Sequence, residues 1–420
     1  MKSFILNKLI LFVIFIMYSP LSLYAYSVLT HEAIIDAAWD KTIQPLLLEK
    51  YPGSTKDQLK DAHAYAYGGC VAADMGYYPF GSKFFTQLVH YVRTGDFVNT
   101  LLDEAQNLNE YAFALGALSH YNADKYGHPI AVNRSVPIVY PKDKDKYGSV
   151  VTYEQDPVSH VRMEFGFDVL QTARGNYASE EYHDFIGFKV SKPLLERAFV
   201  KTYGIDINDL FKDFNLSTET FRWVIKSFFP TITKAAWSAK RSEIKKNNPS
   251  MTRRKFEYKM RRVNYYHEYG KKHHRPGFFS TTIGVIVKVL PKVGPLKDLK
   301  LRIPGPEAES LFIQSFDTVL IHYTLSLKKL HNGNYKIANI DYDTGKETWP
   351  GEYDLADTSY IVLLLKLKEN NFKNVDASLK QNIIKFYDQC DVNVAAMAGK
   401  QEWNEITAAL DQLRVLQVNK

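Results

Sequence analysis

Apolar positions in this chain recur mostly at helical spacing. The densest run is 110–127. There Tyr111, Phe113, Leu115 and Leu118 are set among alanines and glycines, which predicts a buried helix ended by Pro129. Upstream, the pattern predicts helices over 30–39 with Thr30 as a candidate N-cap, over 54–70, over 84–93 and over 98–108. Pro52-Gly53 precedes the second of these, Ser54 or Thr55 caps it, and the Gly68-Gly69 pair should loosen its end. Downstream, 137–156 reads as a polar loop whose Lys142–Lys146 run is a solvated excursion. Helical spacing resumes near 157–165 and over 176–239. It returns in a long amphipathic helix over 307–329 and in helices over 359–367, 377–387 and 402–415. A turn-rich loop with Pro350-Gly351 fills 341–355. The β-branched run Val285–Leu290 reads as a short strand. The fold class that follows is all-α. No internal repeat, phosphate-binding glycine loop or Gly-x-Ser-x-Gly elbow occurs.

A chain of 420 residues with 45% hydrophobic and 24% charged residues is globular, with length for two domains. Its start has the form of a secretory signal: Lys2 and Lys8, an apolar run from Leu9 to Met17, Pro20, and Leu23-Tyr24-Ala25 before a cleavage site. The run is shorter than the ~20 residues of a membrane-spanning helix. Cleavage after Ala25 would make Tyr26 the first residue of a secreted or periplasmic protein. The expected divisions are a signal peptide (1–25), a catalytic domain (26–239), a basic linker or helix (240–276) and a mostly helical C-terminal region (277–420). Two cysteines, Cys70 and Cys390, are too few for a Cys-rich metal module, so any metal here must be held by His, carboxylate or main chain.

Net charge adds one more element. Between Lys240 and Arg275, thirteen Lys or Arg face three Glu. Outside this stretch and the first 25 residues, 38 basic residues face 43 acidic ones. The interleaved Phe256, Tyr258, Tyr265 and Tyr266 suit a helix lying on an anionic membrane or gripping nucleic-acid phosphates, or a solvated linker.

The candidate chemistry lies in the first 164 residues. His120, Asp124 and His128 stand at i, i+4 and i+8, along one face of the predicted central helix. Two imidazoles and a carboxylate on a buried helix need partners or a cation. A zinc site uses such groups, and so does an ordinary buried polar network. His160 and Glu164 repeat the i, i+4 pairing. His31 follows the new N-terminus, whose amine and carbonyl can chelate. Asp74 precedes an aromatic loop, and His90 lies in the helix over 84–93. Singly, each is as well explained as a cap, a turn or a core histidine.

Taken in order, these residues resemble the zinc-dependent phospholipase C family and its relatives, the zinc single-strand nucleases and the catalytic domain of glycosylphosphatidylinositol phospholipase D. The resemblance rests on Leu-Val-His90-Tyr-Val-Arg, Ser-His120-Tyr-Asn-Ala-Asp124 and Asp-Pro-Val-Ser-His160-Val-Arg-Met-Glu164-Phe-Gly-Phe-Asp-Val-Leu, and it covers about residues 26–190. Two features depart from the bacterial pattern. His128 stands two residues nearer Asp124, as in the phospholipase D branch, and Tyr26 replaces the usual Trp. The resemblance implies a multi-helix bundle holding three zinc ions. Asp74, His90, His120 and Asp124 would hold one, and His128, His160 and Glu164 the second. Tyr26 main-chain atoms and His31, with bridging Asp124, would hold the third. It implies a phosphodiesterase with Asp74 and Asp124 in the chemistry, acting on phospholipid by C-type cleavage. D-type cleavage of inositol-linked lipid, a nuclease, and a non-catalytic metal-stabilised surface module are the alternatives. Tyr77, Tyr78, Phe80 and Tyr121 would line an apolar entry or pack in the core.

Overall fold

The computed structural model describes residues 28–174, 176, 188–247, 249, 251–256, 302–333, 335–389 and 400–417. Residues 1–25, expected to be a signal peptide, Tyr26, the basic stretch beyond Phe256, the Val285–Leu290 run and Cys390 lie outside them. Among the described residues the fold is all-α, and β pairing is limited to a bridge between Ile340 and Glu347.

The helices run α1 (Val28–Ala38), α2 (Gln44–Lys50), α3 (Lys56–Val71), α4 (Lys83–Tyr91), α5 (Thr94–Glu104), α6 (Leu108–Gly127), α7 (Asn133–Val139) and α8 (Pro141–Tyr147). They continue as α9 (Pro157–Arg174), α10 (Lys192–Tyr203), α11 (Phe214–Asn247), α12 (Arg253–Phe256), α13 (Pro306–His331), α14 (Asp354–Glu369), α15 (Ala377–Asp388) and α16 (Lys400–Val415).

Helix α6 is the axis of the molecule. Asn107 caps it by accepting from Glu110 N, and its apolar residues are buried all round, as for a helix inside a core. Thr55 and Gln58 form a capping box at the start of α3. The glycines of α3 do not loosen its end. A methyl group at Gly69 would land on the Phe113 carbonyl oxygen, and one at Gly116 on that of Ala66. The missing side chains let α3 and α6 approach backbone to backbone, which sequence spacing alone does not reveal.

From the other side α13 crosses α6, with Tyr323 donating to Leu115 O at 2.9 Å. One hydrophobic core runs from Val28 to Leu413 and includes α1 to α6, α10, α11 and α13 to α16, so the C-terminal helices share their interior with the N-terminal ones.

Three local expectations differ. Pro129 does not stop the chain. Lacking an N–H, it is absorbed in a single wide π turn, His128–Val132, that leads into α7. Helix α5 begins at Thr94, because Arg93 turns left-handed at φ 51° and its buried guanidinium donates to Thr202 O and Ser378 Oγ. The Lys142–Lys146 run is helical, but α8 buries no residue.

Candidate metal centre

Five separate stretches of chain aim side chains at one face of α6. His120 and Asp124 lie on its last turns, and His128 opens the π turn beyond. Helix α1 brings His31. The 3₁₀ segment Ala72–Tyr77 brings Asp74, α4 brings His90, and α9 brings His160 and Glu164. The fifth is the loop between α13 and α14, which brings Asp343. Every one of these side chains is buried.

Asp124 sits at the centre. Its Oδ1 lies 3.5 Å from His31 Nε2 and 3.6 Å from His128 Nε2, and its Oδ2 lies 3.0 Å from His120 Nε2 and 3.8 Å from His90 Nε2. Asp74 Oδ1 is 3.3 Å from His90 Nε2. Glu164 Oε1 is 2.8 Å from His160 Nδ1 and 4.0 Å from His128 Nδ1. Eight of the nine ligand residues expected from sequence are therefore in one contiguous cluster, and the ninth, Tyr26, lies outside the described residues.

Among the described residues, three groups of donors lie close enough together to share an ion: His31, His120 and Asp124; Asp74, His90 and His120; and His128, His160 and Asp343. A tetrahedral ion with bonds of about 2.05 Å spaces its ligand atoms about 3.3 Å apart. The separations from Asp124 and Asp74 fall around that value. Asp74 Oδ1, His90 Nε2, His120 Nε2 and both Asp124 oxygens are buried without a hydrogen bond of normal geometry. Each such atom costs about 1–3 kcal/mol unless something satisfies it, and a divalent cation does so for several at once. The outer nitrogens are already committed: His90 Nδ1 to Thr86 O and His120 Nδ1 to Cys70 O, each at 2.9 Å. That pairing orients a metal-binding imidazole with its other nitrogen inward. The residues fit zinc.

Electrostatics point the same way. Burial pushes Asp124 up, yet the His120 and His128 imidazoles outweigh it and hold the carboxyl well below the usual range. Burial pulls His120 down, but Asp124 reverses this and raises it to about 9. His31 is driven well below its ordinary value by burial and by His120. Burial raises Asp74 and Glu164.

A small cleft opens beside the cluster, lined by Tyr77, His90, His128, Tyr153, His160 and Tyr342 among others. Of the four aromatics expected at an entry, Tyr77 borders this cleft and Phe80 is exposed. Tyr78 and Tyr121 are core residues, packed on Phe221 and Tyr342.

Several participants were not legible in the sequence. Asp343, Asn133 and Tyr342 meet the site from residues without metal spacing, and Asp168 fixes α1 by accepting from Leu29 N and Thr30 Oγ1. Thr30 is thus held from α9 rather than capping a helix that already runs from Val28. The only sequence signal for Asp343 was the turn-rich character of its loop.

A family model described as zinc dependent phospholipase C matches residues 30–212. Comparison with curated proteins and with solved structures gave no match.

Proposed function

We propose, from the match of residues 30–212 to the zinc dependent phospholipase C family model, that the protein is a secreted or periplasmic phosphodiesterase that releases phosphorylated headgroups from phospholipids. The observation that supports it best is the position of Asp124, one buried carboxylate within 4 Å of four imidazoles from three helices and a turn. Structural networks rarely gather so many titratable groups without separate partners, whereas hydrolytic metal centres do.

In this reading Asp74, His90, His120 and Asp124 hold one ion. His31 and Asp124 hold another together with main-chain atoms of Tyr26, and His128 and His160 hold the third with carboxylates beside them. Zinc bound there would supply Lewis acidity toward the phosphodiester and a water acidic enough to react near neutral pH.

The protein's own groups do the rest. Asp74, beside the ion it would help hold, orients the attacking water and accepts its proton. Asp124 keeps the imidazoles of four elements in register, so the reacting groups meet without further ordering. Tyr77, Tyr91 and Tyr153 wall the cleft and shield the phosphate from bulk water. The bond from phosphorus to the glycerol oxygen breaks, and the proton ends on the glycerol hydroxyl.

Cleavage of residues 1–25 after Ala25 and attraction of 240–275 to an anionic membrane complete the proposal. The test is direct. Full-length mature protein loaded with zinc is offered phosphatidylcholine, phosphatidylinositol and single-stranded DNA, with and without chelator. Diacylglycerol released only without chelator is the expected result. Phosphatidic acid would reassign the enzyme to D-type cleavage, and nucleotides would make it a nuclease. Inertness toward all three, whatever the metal, would overturn the reading.

A further inference from the structure

The matched segment ends at residue 212, yet one donor of the His128–His160 group comes from far beyond it. We propose that Asp343, carried by the loop between α13 and α14, is an inner-sphere metal ligand that completes the His128–His160 site. The proposal rests on the reading of this cluster as a metal centre.

The carboxylate of Asp343 is built for the task. Its Oδ2 accepts from Tyr153 N at 2.9 Å and from Tyr353 OH at 2.8 Å. Its Oδ1 is buried, has no hydrogen-bond partner, and lies 3.3 Å from His160 Nε2 and 3.8 Å from His128 Nδ1. One oxygen is thus fixed by the protein while the other faces two imidazoles. Metal-ligating carboxylates are held in this way by outer partners.

The loop is anchored beside the site rather than draped over it. Tyr342 N donates to His90 O at 3.0 Å, Asn133 Nδ2 donates to Asp343 O at 2.8 Å, and Thr94 exchanges hydrogen bonds with Ile340. Tyr342 packs against His90, His120 and Tyr121.

The distances also separate the two carboxylates near His160. Asp343 stands from Nε2 at about the ~3.3 Å edge of a tetrahedral ion. Glu164 Oε1 stands 2.8 Å from Nδ1, on the other nitrogen of the ring, and neither atom has a hydrogen bond of normal geometry. Asn133 Oδ1 lies 2.7 Å from Nε2 and accepts a hydrogen bond from it, a bond that an ion at this site would replace. His160 thus differs from His90 and His120: its Nε2, toward Asp343, is shared with Asn133, and its Nδ1 beside Glu164 has no hydrogen bond of normal geometry. In chain terms, a residue more than a hundred positions past the matched segment makes the C-terminal region part of the metal centre.

The test compares full-length wild type with Asp343→Asn, which keeps the shape and can still accept from Tyr153 N and Tyr353 OH. Zinc per chain is measured after gel filtration, affinity by chelator competition, and coordination by the visible spectrum of the cobalt-substituted protein. The expected result is loss of about one zinc per chain, or at least ~10-fold weaker binding of one ion, with an altered cobalt spectrum. Unchanged zinc content, affinity and spectrum would overturn the proposal. So would raised hydrolysis at unchanged zinc, which would make Asp343 an obstruction. If Asp343→Asn shows no cooperative melt, Tyr353→Phe decides, since it removes one of the two donors to Oδ2 and leaves the carboxylate in place. It should weaken one ion by about 10-fold, and unchanged affinity overturns the proposal. Wild type that binds zinc but hydrolyses nothing defeats the functional reading alone, whereas wild type that binds no metal defeats both.

Discussion

Gly116→Ala is the sharpest probe of how the fold holds the site. In an exposed helix interior this change stabilises by about 1 kcal/mol, because glycine is the poorer helix former. Here the new methyl group would meet the Ala66 carbonyl and the Cys70 amide nitrogen at less than van der Waals distance. Both belong to the backbone of α3, so no side chain can swing away, and the two helices must separate. Overpacking of this kind costs about 3 kcal/mol at the upper end of its usual range. The net expectation is a loss of about 2 kcal/mol, or ~2–3 °C in Tm at this chain length.

The shift also reaches the metal centre, because Cys70 O is the acceptor that orients His120 Nδ1 at 2.9 Å. Moving α3 by a few tenths of an ångström lengthens that bond, and zinc binding should weaken by about 10-fold. Thermal unfolding followed by circular dichroism, with excess chelator and with zinc, measures both parts. A Tm equal to or above that of wild type would show that α3 and α6 are not in backbone contact at this point, and would refute the packing account.

Other outcomes follow from the same geometry. Asp124→Asn removes the carboxylate shared by His31, His90, His120 and His128, so the variant should lose more than one zinc per chain and at least ~100-fold in hydrolysis, read by metal analysis and product release. Asp168→Ala deletes the acceptor for Leu29 N and Thr30 Oγ1 and should destabilise by about 3 kcal/mol in urea unfolding, with the ion near His31 weakened most. Metal-free protein should lose stability as pH rises from about 6.5 toward 9. His120 and His160, with folded pKa values raised to about 9 by Asp124 and by Asp343 against the pull of burial, bind their protons more tightly folded than unfolded below that range. A chelated sample whose urea midpoint rises over that interval would contradict the assigned ion pairs.

Sequence by itself determined the helical class and most of the donor set. Period and caps act within one or two turns, so Thr55 is visible as a helix start, and His120 and Asp124 as neighbours on one face, before any tertiary structure is known. The spacing of His160 and Glu164 is visible for the same reason. Tertiary structure alone decided which distant residues meet. The Gly68-Gly69 pair looked like a weak helix end because glycine favours fraying locally, and only the approach of Lys189 to Gly68 and of α6 to Gly69 shows that a side chain there has no room. Asp343 looked like any turn carboxylate, because a loop's direction depends on the core packing of α13 and α14 and not on its own residues. Its place beside His160 is a contact across nearly two hundred residues, and local periodicity carries no information at that range.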